Sequence, residues 1–192
     1  MLNEMRGVFA VVPQGFLDER KKLGQDRWDE VWDGVLHVPP QPTFEHQALG
    51  TQLAVVLAPL ATARGLRIAY EVAVFETAKG ESNYRAPDLV IAAPTHVSRR
   101  GVEERAELVV EILSPGDEAR DKLPFFAARG IPEVWLVEPD TREVEIYVLR
   151  DAAYFAVAPV NGSVHAPLFE LELRTIAGPK LRITWPGGEA EI

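Results

Sequence analysis

The pattern of apolar positions changes period near residue 65. Between Thr43 and Arg64, His46, Leu49, Leu53, Val56, Leu57 and Leu60 recur at three- and four-residue steps, which is one face of a helix. Thr43 suits the N-cap, Pro59 is placed to kink the last turns, and Gly65 suits the stop. From Leu66 onward the runs read as strands. Leu66–Phe75 (LRIAYEVAVF) is rich in β-formers, Ala86–Ala92 (APDLVIA) follows a loop, and Glu107–Leu113 (ELVVEIL) is apolar enough for a central strand. Ser114-Pro115-Gly116 breaks that run, and a helix is predicted to follow it and stop at Gly130-Ile131-Pro132. Glu133–Glu138 (EVWLVE) reads as another buried strand, paired with the alternating Glu143–Leu149 (EVEIYVL) across Pro139-Asp140. Upstream, Asp33-Gly34 sits between short alternating runs and signals a hairpin. The tail reads as short strands through Phe155, Phe169–Leu173 and Leu181–Trp185. The order of hairpin, helix, strands, helix and strands predicts an α/β (α+β) fold with a mixed central sheet flanked by helices.

At 192 residues, 47% of them hydrophobic, the chain fits one domain spanning 1–192: a hairpin region at about 25–40, a core at about 43–150 and strands at about 151–192. With no cysteine, disulfide frameworks, thiolate zinc sites and cysteine nucleophiles are excluded. The first ten residues carry an early acid and no sustained apolar run, so no signal peptide is read. No apolar stretch approaches the ~20 residues a bilayer requires. The expectation is a soluble, cytoplasmic protein with no membrane partner.

Charge complicates the choice of partner. The net charge of −9 counts against a nucleic acid, whose binding is largely cation-driven. A local patch could offset it, and Arg64, Arg67, Arg85, Arg99, Arg100 and Arg105 fall close together in sequence. Scattered solvated arginines are the plainer reading of the same residues.

Two acids carry the chemistry. Asp88 lies in the apolar Pro87-Asp-Leu-Val-Ile, and Glu111 lies in the middle of Leu-Val-Val-Glu-Ile-Leu. A buried carboxylate is costly unless it is paired, hydrogen-bonded or bound to a cation. Two on neighbouring strands repel unless a divalent ion sits between them, and hard oxygen ligands suit Mg²⁺ or Mn²⁺. Solvent exposure at a strand edge, or a salt bridge to an arginine, accounts for each acid equally well on spacing alone.

The words around these acids go further. Pro-Asp, then Glu111 followed by Ser-Pro, then Asp-Lys-Leu-Pro-Phe-Phe-Ala-Ala-Arg-Gly-Ile-Pro-Glu-Val-Trp-Leu-Val-Glu-Pro, resembles the Uma-two family of restriction endonucleases, a branch of the PD-(D/E)xK nuclease superfamily. The clearest likeness covers Pro87–Val148. A looser one starts at Trp28-Asp-Glu-Val-Trp-Asp-Gly-Val-Leu, similar to the family's "yELiDGel", and takes in His46-Gln47. The resemblance implies a restriction-endonuclease-like domain with Asp88 and Glu111 as metal-binding carboxylates. The superfamily's lysine two residues after the glutamate is replaced here by Leu113; in the Uma-two pattern a lysine on the following helix takes its place, and its match is Lys122. Asp117 matches a further acidic position. Glu45 could supply an acid from the first helix, while His46 reads as a satisfied, half-buried histidine heading the apolar face. Glu30 and Asp33 match hairpin positions whose role reads as turn formation. Tyr84, Arg85 and Ser114 could line the cleft, and Arg85, Arg99 and Arg100 could contact DNA. Trp135, Phe125 and Phe126 read as core.

The function this resemblance implies is Mg²⁺-dependent (or Mn²⁺-dependent) hydrolysis of DNA phosphodiesters. Two alternatives stay open: a catalytically inactive nuclease fold that binds nucleic acid or assembles with partners, and a metal-dependent hydrolase of a small phosphodiester. Homo-oligomerisation is left open as well.

Overall fold

The period-two runs become three sheets, and the period-3.6 run becomes the helix that packs across one of them. A computed structural model describes residues 7–78, 80, 82–116 and 118–192. In chain order the elements are β1 (Gly7–Phe9), α1 (Gln14–Leu23), β2 (Glu30–Trp32), β3 (Val35–Val38), α2 (Phe44–Ala63), β4 (Arg67–Tyr70), β5 (Val74–Phe75), β6 (Tyr84–Arg85) and β7 (Leu89–Ala92). Then come β8 (Val102–Glu103), β9 (Leu108–Ile112), α3 (Leu123–Ala128), β10 (Glu133–Val137), β11 (Val144–Arg150), β12 (Ala153–Ala156), β13 (Val164–Ala166), β14 (Leu171–Ile176), β15 (Lys180–Trp185) and β16 (Gly188–Glu191).

The central sheet runs β12-β11-β10-β9-β7-β4. β9 and β10 are parallel and its other pairs antiparallel, so the expected mixed sheet is present. Helix α2 lies on one face. Thr43 caps it as expected, its Oγ1 accepting the His46 N–H at 3.2 Å, an interaction of the kind worth about 1 kcal/mol. Leu49, Leu53 and Leu57 are fully buried beneath it, each contributing roughly 1.5–3 kcal/mol by leaving water. Gly50 allows β4 to come close, since a Cβ there would sit 2.5 Å from the Tyr70 ring. The C-terminal meander β13-β14-β15-β16 closes the same core through Leu171, Leu173, Leu181 and Ile183.

The opposite face is covered by α3 and by a second sheet, β1-β3-β2-β6-β5-β8. The Asp33-Gly34 hairpin joins β2 to β3, with both turn residues at positive φ (50° and 85°). Phe125, Phe126 and Trp135 are core residues, as their pattern indicates.

Two expectations are revised, and one helix has no sequence prediction behind it. Leu66–Phe75 is two strands in different sheets, because Glu71 turns the chain at φ 50° between β4 and β5. The helix after Ser114 is one 3-10 turn over Ala119–Lys122 followed by the six-residue α3. Helix α1 has no counterpart in the apolar pattern, since none of its residues is buried. No helix of the described residues is long and apolar enough to cross a membrane.

Candidate active site

Strand alternation puts the two acids on one face. In β9, Val109 faces the α3 side while Leu108, Val110 and Ile112 face α2, so Glu111 projects toward α3. In β7, Val90 and Ala92 share that α3 face, which places Asp88, two residues before Val90, on it as well. The pairing Leu89↔Val110, carried one step further, sets Asp88 beside Glu111.

The ladder stops there for a chemical reason. Leu113 donates its N–H to Val137 of β10, so the amide and carbonyl of Ile112 point the other way, toward Pro87. Proline has no N–H to give. Side chains take over instead. Asp88 Oδ2 accepts the Ile112 N–H at 2.6 Å, and His46 Nε2 lies 3.0 Å from the Ile112 carbonyl oxygen. A carbonyl only accepts, so Nε2 carries the hydrogen. Buried Nδ1 then has no hydrogen-bond partner among the described residues, and Nε2 also stands 3.5 Å from Asp88 Oδ2. Burial pulls the imidazole down, but Asp88 outweighs it by hydrogen bond and charge and holds His46 above its ordinary value.

Lys122 enters from the turn before α3. Its Nζ is 3.1 Å from both oxygens of Glu111 and 2.9 Å from Glu30 Oε1. Glu30, from β2, is fixed in turn: Oε1 accepts the Ala86 N–H at 2.8 Å and Oε2 accepts Trp32 Nε1 at 2.7 Å. Burial opposes the charge on Lys122, but Glu111 and then Glu30 outweigh it and hold the ammonium far above its ordinary range. Glu111 is pushed well above the usual carboxylate range by burial, with Asp88 and Glu30 adding to the rise and Lys122 opposing it. Even with His46 protonated beside Asp88, the three carboxylates exceed the cationic groups Lys122 and His46 by one formal charge.

That deficit is the test of fit for a metal ion. Glu111 Oε1 is buried and makes no hydrogen bond, its contact with Lys122 being an ion pair only. Among the described residues no three His, Asp or Glu side chains cluster to cage an ion. Two carboxylates beside a cleft are hard oxygen donors of the kind a divalent cation takes.

The cleft holds about 790 Å³ and is lined by Asp88, Glu111, Lys122, Leu113 and Ser114. Among the described residues eight carboxylates line it: Glu30, Glu45, Glu71, Asp88, Glu111, Glu118, Glu138 and Asp140. Among the described residues lining it, Arg120 and Lys122 alone bring a permanent positive charge, so a polyanion would need cations to enter. Glu45 is exposed at the rim, without a hydrogen bond or ion pair to Asp88 or Glu111 among the described residues. Asp117 lies outside the described residues.

None of the six clustered arginines lines this cleft. Arg85 is 4% exposed and sandwiched between the Trp32 and Phe125 rings, each 4.4 Å from its guanidinium. Burial brings it down to about 10, and its Nη1 donates to Val31 O, Tyr84 O and Asn83. Arg100 is paired with Glu103 and donates to the Thr77 and Gly80 carbonyls. Exposed Arg99 rims a separate cavity of about 240 Å³ with Arg67 and Arg100. Tyr84 is not a cleft residue either.

Glu30 and Glu71 are the site residues that sequence reasoning undervalued. Glu30 carried a signal in its match to the hairpin pattern, but nothing in that pattern shows that it reaches Lys122. Glu71 accepts from Gln47 at 2.5 Å and from Arg27 at 3.1 Å and gives its own N–H to Asp88 O. It had no signal, lying inside a run that reads as continuous strand.

Comparison with known proteins places the family and the fold. The model of the Uma2 family, described as "Putative restriction endonuclease", matches residues 19–177. The fold is similar to that of a protein from Anabaena variabilis described as "a putative nuclease belonging to DUF820". The two are 20% identical with a TM-score of 0.61, over 80% of this chain and 90% of that one. Among curated proteins, none matches.

Proposed function

The chain belongs to the Uma2 family, and from that membership and the site geometry we propose that it is a metal-dependent nuclease hydrolysing DNA phosphodiesters. The observation that carries the reading is Lys122 Nζ, 3.1 Å from a Glu111 carboxylate that lies beside Asp88 at the end of the β7–β9 ladder. The lysine missing at position 113 is supplied by the next helical segment.

Asp88 and Glu111 are the residues that would hold Mg²⁺ or Mn²⁺. Bound there, the ion supplies Lewis-acid polarisation of the phosphodiester and acidifies its own water. Lys122 acts as a fixed cation. Its ammonium stays protonated at neutral pH, so it offsets charge developing on the phosphoryl oxygens and does not serve as a general base. His46 and Asp88 clamp the Ile112 peptide, and so hold the Glu111 carboxylate in place.

The acidic lining favours a second reading, hydrolysis of a small phosphodiester whose single charge needs no basic track. One assay separates the two. Supercoiled, linear and branched DNA and a chromogenic phosphodiester are each incubated with Mg²⁺, Mn²⁺ or EDTA. Cleavage of DNA that EDTA abolishes is the expected result. Hydrolysis of the small substrate alone selects the second reading, and inactivity on every substrate overturns both.

A further inference from the structure

Glu30 comes from a different sheet than Asp88 and Glu111, yet its carboxylate touches the same ammonium. We infer that Glu30 is a positioning residue for the hydrolytic reaction, acting through Lys122; this rests on the nuclease reading above.

The geometry sets Glu30 apart from a residue that only shapes the hairpin. A turn-forming acid next to Asp33-Gly34 would bond its own hairpin's backbone. Glu30 instead spans to Ala86, just before Pro87-Asp88, and to Lys122 before α3. Its two oxygens are both committed, Oε1 to Ala86 N and Lys122 Nζ, Oε2 to Trp32 Nε1. Its own position is therefore fixed by Trp32 of the same strand and by the Ala86 amide just after β6. The side chain is 7% exposed, too buried to serve for solubility.

Lys122 needs such a partner. A lysine two residues after the glutamate on the same strand would be aimed by the strand itself. Lys122 reaches the site on a flexible four-carbon stem from a 3-10 turn, a poor scaffold for a fixed charge. Glu111 alone cannot aim it, because any ion held by Glu111 competes for the same oxygens. Glu30 gives Nζ an anchor that does not change when Glu111 engages another cation. Trp32 carries the arrangement further, since its ring is stacked on His37 at 4.1 Å and on Arg85 at 4.4 Å.

The test uses the full chain as wild type, Glu30→Gln, Glu30→Asp, Lys122→Met and the double variant Glu30→Gln with Lys122→Met. Folding is checked by circular dichroism and melting. The first readout needs no activity: acetylation of Lys122 by acetic anhydride in metal-free protein, followed by peptide mass spectrometry, with exposed Lys180 as internal reference. Glu30→Gln should raise the Lys122-to-Lys180 modification ratio several-fold, with Glu30→Asp in between. The second is kcat with Mg²⁺. Glu30→Gln should lower it by on the order of 10- to 100-fold, the usual cost of losing a supporting partner, and should have no further effect in the Lys122→Met background. The third is Mn²⁺ affinity, which should match wild type.

An unchanged kcat in Glu30→Gln overturns the inference whatever the labelling shows. So does an equal loss in the Lys122→Met background, which would mean that Glu30 acts independently of the lysine. Loss of Mn²⁺ binding would make Glu30 a metal ligand, and overturns it too. If Glu30→Gln does not fold, Glu30→Asp carries the same three readouts. Failure of the nuclease reading looks different: wild type is inactive with every metal while the labelling ratio still rises.

Discussion

Replacing Lys122 by Met removes the ammonium that Glu30 and Glu111 share, while the unbranched stem keeps the packing. Nζ stands 2.9 Å from Glu30 and 3.1 Å from Glu111, and the Glu30, Glu111 and Lys122 side chains are 7%, 6% and 13% exposed. Solvent therefore screens the pair little. Removing one partner of a buried ion pair costs about 3–5 kcal/mol, because the remaining charge is left uncompensated. For a chain of this size that corresponds to a fall in melting temperature of roughly 6–20 °C at pH 7. The assay is urea denaturation with EDTA, read by tryptophan fluorescence. Two further results are expected. Adding Glu30→Gln to Lys122→Met should recover part of the loss, since it removes one of the stranded charges. Mn²⁺ should stabilise Lys122→Met, because a divalent ion supplies the missing positive charge. A loss below about 1 kcal/mol, the range of an exposed ion pair, would refute the picture of a shared buried ammonium.

Further consequences can be checked on the same protein. His46→Ala leaves the Ile112 carbonyl without its donor and should cost about 1–3 kcal/mol in urea denaturation, with cleavage falling as Glu111 loses its clamp. Arg85→Lys should destabilise by about 1–2 kcal/mol, through lost stacking between Trp32 and Phe125, yet leave the salt dependence of DNA binding unchanged in a filter-binding titration. Glu103 is held below its ordinary carboxylate value by its hydrogen bond to Arg100, so it contributes stability above its unfolded value, lost as pH falls through the lower folded one. Melting curves between pH 6 and 3 should accordingly fall less steeply for Glu103→Gln than for wild type.

What was legible in the sequence depended on whether a signal was local. Helix α2 and strands β9 and β10 were readable because burial on one or both faces imposes a period or an unbroken apolar run. The embedded acids stood out because they violate that run. Glu71 was not readable: its turn comes from one residue at positive φ inside a segment whose side chains all suit a strand. Segments that bury nothing were silent. Helix α1 buries nothing, so it leaves no apolar stripe. The arginines between 64 and 105 are neighbours in sequence, but strand β6 buries Arg85 while the bend before β8 carries Arg99 to a different cavity. The contact of Glu30 with Lys122 joins residues 92 positions apart through a second sheet, a packing relation that no local pattern encodes.

The most direct test of the account is calorimetric titration of Mn²⁺ into wild type, Asp88→Asn and Glu111→Gln, with folding of each verified beforehand. The geometry predicts one saturable site in wild type, and loss of that binding in both variants. Equal binding by all three proteins would contradict the account, because the ion would then sit elsewhere than between Asp88 and Glu111.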